Sequence, residues 1–166
     1  TTAALALGDA LAVALLDARG FSKADFARSH PRGPLHREAL KHVADVMRAG
    51  ERLPVVRQGT SLKRSLEAMT RGSMGMVAIV NARRQVIGVF TDGDLRRKLG
   101  RIARERALRI DRVMTPNPRT IRPEALAAEA VQMMERHKIN QLLVVDAHGS
   151  LVGALNMHDL FRAKVI

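Results

Sequence analysis

The chain has 166 residues, with 28 lysines and arginines against 16 aspartates and glutamates, and 46% of its residues are hydrophobic. This composition is that of an ordinary globular protein with one or two small domains. Because the chain has no cysteine, a disulfide scaffold, a thiolate zinc site and a cysteine nucleophile are excluded. The formal charge of +12 predicts an anionic partner: a nucleic acid, a membrane surface or a phosphorylated small molecule.

Residues 1–42 are predicted to be the end of one domain and a linker. Residues 1–16 have the Ala/Leu-rich pattern of a helix, interrupted by Gly8 and Asp9 and too short to span a membrane. The pattern also lacks the basic start of a signal peptide. Since no initiator methionine or capping residue precedes it, we expect the last helix of a larger domain. Pro31, Gly33 and Pro34 then favour an irregular backbone.

From residue 43 onward the sequence contains an internal repeat. Val46-Met47 recurs as Val113-Met114 after 67 residues, and Gly88 recurs as Gly153 after 65. Each copy has a helical apolar pattern, an apolar run, a polar turn and a second apolar run that contains the glycine. The predicted class is α+β, with copies at 43–105 and 106–166. Because one copy alone would leave a sheet face bare, we expect the copies to pack in pseudo-twofold fashion.

The end of each copy carries its most specific motif. Residues 88–95 read GVFTDGDL, and residues 153–160 read GALNMHDL. Together with Asp45-Val46-Met47 and the following helix, the order resembles a cystathionine-β-synthase (CBS) repeat. Two such repeats resemble a Bateman module, which implies the order β-α-β-β-α in each copy and nucleotide binding in the clefts between them.

The start of the chain extends the resemblance. Residues 1–21 and Ser29-His30-Pro31 resemble the end of the sugar-isomerase (SIS) domain of bacterial D-arabinose-5-phosphate isomerases, which carry a CBS pair there. The resemblance implies that the cytoplasmic parent enzyme interconverts D-ribulose 5-phosphate and D-arabinose 5-phosphate, at the start of Kdo and lipopolysaccharide synthesis. It makes His30 a proton-transfer residue of that parent. This chain lacks most of the catalytic domain and is expected to be inactive alone.

The motif also has a chemical interpretation. Gly88 is expected to let the backbone approach a ligand, while Thr91 and donors at a helix start meet phosphate. The carboxylate of Asp94 can accept both hydroxyls of a ribose. The alternative is that Thr91 and Asp94 only cap the following helix. The candidate ligand-binding residues of the first copy are Thr91, Asp92, Asp94, Arg96 and Arg97.

The second copy has Asn156 in place of the hydroxyl residue and keeps the carboxylate as Asp159. His158 is expected at the mouth of this cleft, where it either donates to an anionic group or is an ordinary residue at the start of a helix. The departure from the motif predicts two unequal sites.

Basic residues follow the first motif directly. Eight basic and two acidic residues lie between Arg96 and Arg112. Arg96 and Arg97 are expected to reach a phosphate or carboxylate through paired donors, whereas the run beyond Lys98 is better explained as a solvated connector between the repeats. Nucleic-acid binding is disfavoured because the chain has no Tyr or Trp to stack on bases.

The histidines show no metal-binding spacing, so we predict no metal and no required cofactor. The favoured function is a regulatory pair that binds a small anionic nucleotide, with CMP-Kdo preferred over AMP or ATP. The alternative is a ligand-free structural module that joins protomers. We expect no membrane partner and a homo-oligomer, a dimer of CBS pairs within a tetrameric parent.

Overall fold

The computed structural model describes residues 41–105 and 107–166, together with positions 7–8, 10–12, 14–15 and 18–20. The chain divides into two units, Thr1–Lys41 and His42–Ile166. In the first unit the described positions from 7 to 15 are helical, in agreement with the helix predicted there. His30 and the predicted linker around Pro31 and Pro34 lie outside the described residues.

The second unit contains the two predicted copies. Both have the order strand, helix, strand, strand, helix, which confirms the α+β class and the β-α-β-β-α repeat. Short 3-10 turns lie at Gly50–Arg52 and Ile110–Arg112. The helices and strands, in chain order, are α1 (Val43–Val46), β1 (Val55–Arg57), α2 (Leu62–Gly72), β2 (Met76–Val80), β3 (Val86–Thr91), α3 (Asp92–Ile102), β4 (Thr115–Pro116), β5 (Thr120–Ile121), α4 (Ala127–His137), β6 (Gln141–Val145), β7 (Leu151–Asn156) and α5 (Met157–Arg162).

The described residues form two sheets of matching topology. The first has the order β1-β2-β3-β4 and the second the order β5-β6-β7. In each sheet the first strand runs parallel to the second, and the second pairs with the third as an antiparallel hairpin. Met76 lies opposite Thr91 in one hairpin, and Gln141 lies opposite Asn156 in the other. Thr91 and Asn156 therefore occupy equivalent places, each at the end of the second strand of its hairpin.

Strand β2 is buried along its whole length because both of its faces are covered. Alternate side chains of a strand point to opposite faces. Val77 and Ile79 pack in the same core cluster as residues of α2, whereas Met76 and Ala78 pack in a second cluster with Leu143 of the other sheet. The two sheets therefore face each other. We expected this because a single copy would leave one face of its sheet bare.

The segment that begins each copy packs in the core of the other copy. Val43 of α1 is fully buried and belongs to the cluster of the second copy. Ile110 and Val113, which begin the second copy, belong to the cluster of the first. Backbone pairing follows the same exchange, since β4 pairs with β3 and Arg48 forms a bridge with Ala154. The ranges 43–105 and 106–166 describe sequence copies, whereas each core takes its first element from the other copy.

This exchange explains the recurring glycines. A Cβ placed on Gly88 would lie 2.3 Å from Sδ of Met114, and one on Gly153 would lie 2.3 Å from Sδ of Met47. The expectation that Gly88 makes room for a ligand is therefore wrong. Each glycine makes room for the methionine of the recurring Val-Met pair, which arrives from the opposite copy.

Candidate functional site

Thr91 begins helix α3 and forms a reciprocal cap with Asp94. The Thr91 Oγ1 accepts the backbone N–H of Asp94 at 3.1 Å, and Oδ2 of Asp94 accepts the backbone N–H of Thr91 at 3.0 Å. The Thr91 hydroxyl also donates to the same carboxylate oxygen at 2.9 Å. The capping alternative that the sequence left open is thus present in the structure.

The Asp94 carboxylate is 4% exposed and lies among donors and positive charges. Its Oδ1 is 2.9 Å from Nη2 of Arg97, 3.6 Å from Nζ of Lys98 and 3.3 Å from the hydroxyl of Thr115. Burial acts to raise the pKa of Asp94, but the hydrogen bonds from Thr91 and Arg97 and the charge of Lys98 outweigh it and lower this pKa below its ordinary 3.8. The group is therefore an ionised acceptor at neutral pH.

The two cations beside Asp94 differ in their access to solvent. The side chain of Arg97 is 69% exposed, whereas that of Lys98 is 31% exposed and also donates to the carbonyl of Val113. Arg96 is exposed on the same helix. The structure thus gathers Thr91 and Arg97 around the Asp94 carboxylate. Arg96 lies two residues beyond Asp94 on the helix, and so on about the opposite side of it.

Asp92 lies apart from this group. It is exposed, and its backbone N–H donates to the carbonyl of Gly75 at 3.0 Å. A Cβ on Gly75 would lie 2.9 Å from Oδ2 of Asp92 and 3.4 Å from Nε2 of Gln141. The Asp92 carboxylate therefore lies beside Gly75, just before β2, and is not one of the groups that hydrogen-bond Asp94.

The second copy repeats the cap with different chemistry. Oδ1 of Asn156 accepts the backbone N–H of Asp159 at 2.9 Å, and Oδ2 of Asp159 accepts the backbone N–H of Asn156 at 3.2 Å. Asp159 is 8% exposed. The substitution of Thr by Asn keeps the helix start intact and removes the hydroxyl that donates to the carboxylate in the first copy.

Arg48, which was not among the predicted site residues, is the principal partner of Asp159. Its Nε lies 3.0 and 3.1 Å from the two carboxylate oxygens, and its Nη2 lies 2.9 Å from Oδ1. Its Nη1 donates to the carbonyls of Gly72 and Ser73 at 3.3 and 3.4 Å. The available signal was its place directly after the Val46-Met47 pair, at the position that Thr115 occupies in the second copy.

An open groove of about 670 Å³ adjoins this ion pair. His158 is exposed there, and its Nε2 lies 3.1 Å from Nη2 of Arg162. The structure thus brings the predicted residues His158 and Asp159 to one groove, together with residues that begin the first copy. Its polar and charged lining residues are Asp45, Arg48, Ser73, His158, Asp159 and Arg162.

The remaining basic residues of the 96–112 run have mixed roles. Nη1 of Arg109 donates to the carbonyl of Gly59 at 2.8 Å, so this arginine holds the turn before α2. Arg101 pairs with Glu105 on the surface at 3.4 Å. A larger groove of about 1090 Å³ lies between α2 and residues 102–109. It contains none of the predicted site residues, and Arg106 lies outside the described part of the chain.

The described residues offer neither a metal site nor a membrane-spanning helix. They contain no group of three or more His, Cys, Asp or Glu side chains that could hold a metal ion. None of their helices combines the length and hydropathy needed to cross a bilayer.

The family model of the CBS domain matches residues 40–101 and residues 110–166. The chain belongs to the CBS domain family. The two matched segments correspond to the two sequence copies, so the chain carries a CBS pair, as the motifs at 88–95 and 153–160 indicated.

The curated relatives of this CBS pair include arabinose 5-phosphate isomerases. The chain is 55% identical over 166 residues to KdsD of Pseudomonas aeruginosa and 46% identical to KdsD of Escherichia coli K12. The alignments cover 100% of this chain but 51% and 50% of those proteins. The chain therefore spans about half the length of the curated relatives it matches. These matches confirm the predicted resemblance to the CBS part of this isomerase family.

Solved CBS pairs share the fold. CBSX2 of Arabidopsis thaliana in complex with AMP is 26% identical with a TM-score of 0.64, and the match covers 75% of this chain and 96% of that chain. The CBS pair of protein MJ0100, in complex with 5′-methylthioadenosine and S-adenosyl-L-methionine, is 19% identical with a TM-score of 0.66. That second match covers 74% of this chain and 94% of the other, and it supports the fold alone.

Proposed function

We propose that this CBS pair binds an anionic nucleotide in its first cleft and thereby regulates an arabinose-5-phosphate isomerase. The observation that carries the proposal is the buried, ionised Asp94 with the exposed Arg97 beside it. A carboxylate can accept the hydroxyls of a ribose, while an arginine that reaches solvent can pair with a phosphate or carboxylate. Thr91, Asp92 and Arg96 complete this proposed site.

The charge distribution supports an anionic ligand. Residues 1–40 carry five basic and four acidic residues, so nearly all of the +12 surplus lies on the CBS pair. The complex of CBSX2 with AMP supports a nucleotide as the ligand class. Among anionic nucleotides we favour CMP-Kdo over AMP or ATP, because it is the end product of the pathway in which the proposed enzyme works. A second, unequal site at Asn156, His158 and Asp159 belongs to the same proposal.

The proposed parent enzyme converts D-ribulose 5-phosphate into D-arabinose 5-phosphate in the cytoplasm. The similarity to KdsD over the whole of this chain supports this activity. His30 is the residue proposed for proton transfer, since a histidine can act as acid and base at neutral pH. This role belongs to the full-length protein.

Calorimetric titration of the chain with CMP-Kdo, CMP, AMP and ATP tests the proposal. We expect CMP-Kdo to bind most tightly, and Asp94→Asn or Arg97→Ala to weaken it about tenfold or more, as for loss of a charge-assisted hydrogen bond. Arg101→Ala, whose arginine pairs with Glu105 on the same helix, is the matched control and should bind like the wild type. Absence of binding heat with all four nucleotides would overturn the sensing role.

A second candidate function is a ligand-free module that joins protomers. Leu99 of α3 is 59% exposed, and Leu62, Leu66 and Ile102 line the larger groove, so an apolar surface is available for a second copy. Light scattering distinguishes the two functions. A ligand-independent dimer or tetramer that Leu99→Glu dissociates, with Thr91→Ala and Asp94→Ala silent in calorimetry, would favour the structural role.

A further inference from the structure

Besides the exchange of Thr91 for Asn156, the two clefts differ at a pair of equivalent positions outside the motifs. Thr115 follows Met114 in the second copy, and Arg48 follows Met47 in the first, 67 residues earlier. Because the copies exchange their first segments, each of these residues reaches the motif carboxylate of the other copy. Thr115 donates its hydroxyl to Asp94, whereas Arg48 places a guanidinium on Asp159.

The carboxylate of Asp159 has no comparable freedom to accept a ligand. Arg48 approaches both of its oxygens, and one of them also accepts the backbone N–H of Asn156. The Arg48 side chain is 22% exposed, and its Nη1 is held by the carbonyls of Gly72 and Ser73 at the end of α2. A ribose hydroxyl could reach Asp159 only by breaking several of these bonds together.

Asp94 also has partners on both of its oxygens, including Lys98, but its exposed cation, Arg97, is held less firmly than Arg48. Arg97 lies on the same helix as Asp94, makes one contact of 2.9 Å with it and is 69% exposed. An exposed ion pair between residues three apart is weak and screened by solvent, so Arg97 can turn from the carboxylate to a ligand phosphate at small cost. The partly buried, multiply bonded Arg48 cannot do so as readily.

We propose that Arg48 makes the second cleft the weaker of the two nucleotide sites, because it occupies the carboxylate of Asp159 that would otherwise accept a ribose hydroxyl. This inference rests on the proposed function for the nature of the ligand. It assigns the inequality of the two sites to Arg48, and not to the exchange of Thr91 for Asn156.

Two reciprocal substitutions test the inference, with AMP as the calorimetric probe because it offers only a base, a ribose and one phosphate. Arg48→Thr gives the second cleft the residue of the first, and we expect a second AMP site per chain, about tenfold or more tighter than any wild-type binding there. Adding Asp159→Asn should remove that site. Thr115→Arg gives the first cleft the residue of the second and should weaken AMP binding there about tenfold. Thr115 is exposed, so this variant tests the inference even if Arg48→Thr fails to fold.

The outcomes separate the two proposals. Unchanged stoichiometry in Arg48→Thr, unchanged affinity in Thr115→Arg, or loss of AMP binding on replacing Arg48 would each overturn the role of Arg48 and leave the proposed function standing. If Arg48→Thr binds AMP where the wild type binds none of the four nucleotides, the role of Arg48 stands and nucleotide sensing by the natural chain fails. If neither the wild type nor any variant binds any of the four nucleotides, both proposals are overturned.

Discussion

At the scale of single residues, the motif carboxylates have two uses. Asp94 caps helix α3 through Thr91 and also holds Arg97, Lys98 and Thr115 around one buried negative charge. The sequence motif could be interpreted as a helix cap or as a ligand-binding group. Asp94 can serve as both, because its two carboxylate oxygens have different partners. One oxygen serves the cap, and the other contacts Arg97, whose exposed side chain can move to a ligand.

Asp94→Asn should lower the free energy of unfolding at neutral pH by about 1–3 kcal/mol, the usual cost of losing hydrogen bonds to a charged group. The pKa of Asp94 is lowered in the folded protein, so its stabilisation is fully present above the unfolded pKa of about 3.9 and is lost as the pH falls through the lower folded pKa. Urea unfolding of wild type and variant between about pH 7 and pH 2 measures this.

The gap in the free energy of unfolding between the wild type and Asp94→Asn should stay constant down to about pH 5 and then narrow. Asp92→Asn is the matched control in the same helical turn, and it should cost at most about 1 kcal/mol because that carboxylate is exposed. A gap that widens as the pH falls would contradict the assignment of Asp94 as a stabilising carboxylate.

Gly153→Ala should destabilise the protein by about 1–3 kcal/mol, as expected for overpacking in a closely packed core. The new Cβ would lie 2.3 Å from Sδ of Met47 and 3.1 Å from the carbonyl oxygen of Arg48, and the backbone atom cannot move away as a side chain can. Thermal unfolding measures the change. Gly100→Ala is the control: no atom lies within 4 Å of its added Cβ, and in a helix it should stabilise by about 0.5–1 kcal/mol.

At the scale of elements, local patterns predicted helices and strands but not the core to which each belongs. The burial of Met76–Val80 on both faces follows from its unbroken apolar run. The place of α1 and of the turn Ile110–Arg112 does not, because Val43 and Ile110 are apolar residues that would fit either core. The exchange of first segments between the copies becomes visible only in long-range contacts, such as the pairing of β4 with β3 and the bridge between Arg48 and Ala154.

Ile110→Ala should therefore destabilise the first copy's core, although Ile110 belongs to the second copy in sequence. Ile110 is fully buried, and truncation of such a side chain costs about 2–5 kcal/mol. Hydrogen exchange resolved by residue should show faster exchange in α2 and β2 than in α4 and β6. Leu99→Ala, at an exposed position, should change neither. Faster exchange confined to α4 and β6 would contradict the exchanged packing.

At the scale of the whole molecule, the charge surplus is concentrated on the CBS pair and is partly engaged within it. Arg48, Arg97 and Lys98 pair with the motif carboxylates, and Arg109 bonds a backbone turn. A surface whose cations are tied to particular acceptors favours a small ligand that exchanges with those acceptors over a long polyanion.

AMP affinity should therefore fall several-fold as salt rises from about 0.01 to 0.1 M, where the screening length shortens from about 30 to 10 Å. A DNA duplex of about 20 base pairs should produce no gel shift at micromolar chain and about 0.15 M salt. Titrations at several salt concentrations and a gel-shift series measure both. A steep, DNA-length-dependent affinity at that salt would instead favour nucleic acid as the partner.

The two copies, the order of their elements and the family could be predicted from the sequence, because they depend on local periodicity and short motifs. The same motifs predicted helix caps at Thr91 with Asp94 and at the equivalent pair Asn156 and Asp159. The tertiary structure alone decided that the copies exchange their first segments, that Met114 fills the space at Gly88, and that Arg48 reaches Asp159. These contacts join residues up to 111 positions apart. No local sequence pattern encodes contacts between residues so far apart in the chain, because they form only when the two sheets pack face to face.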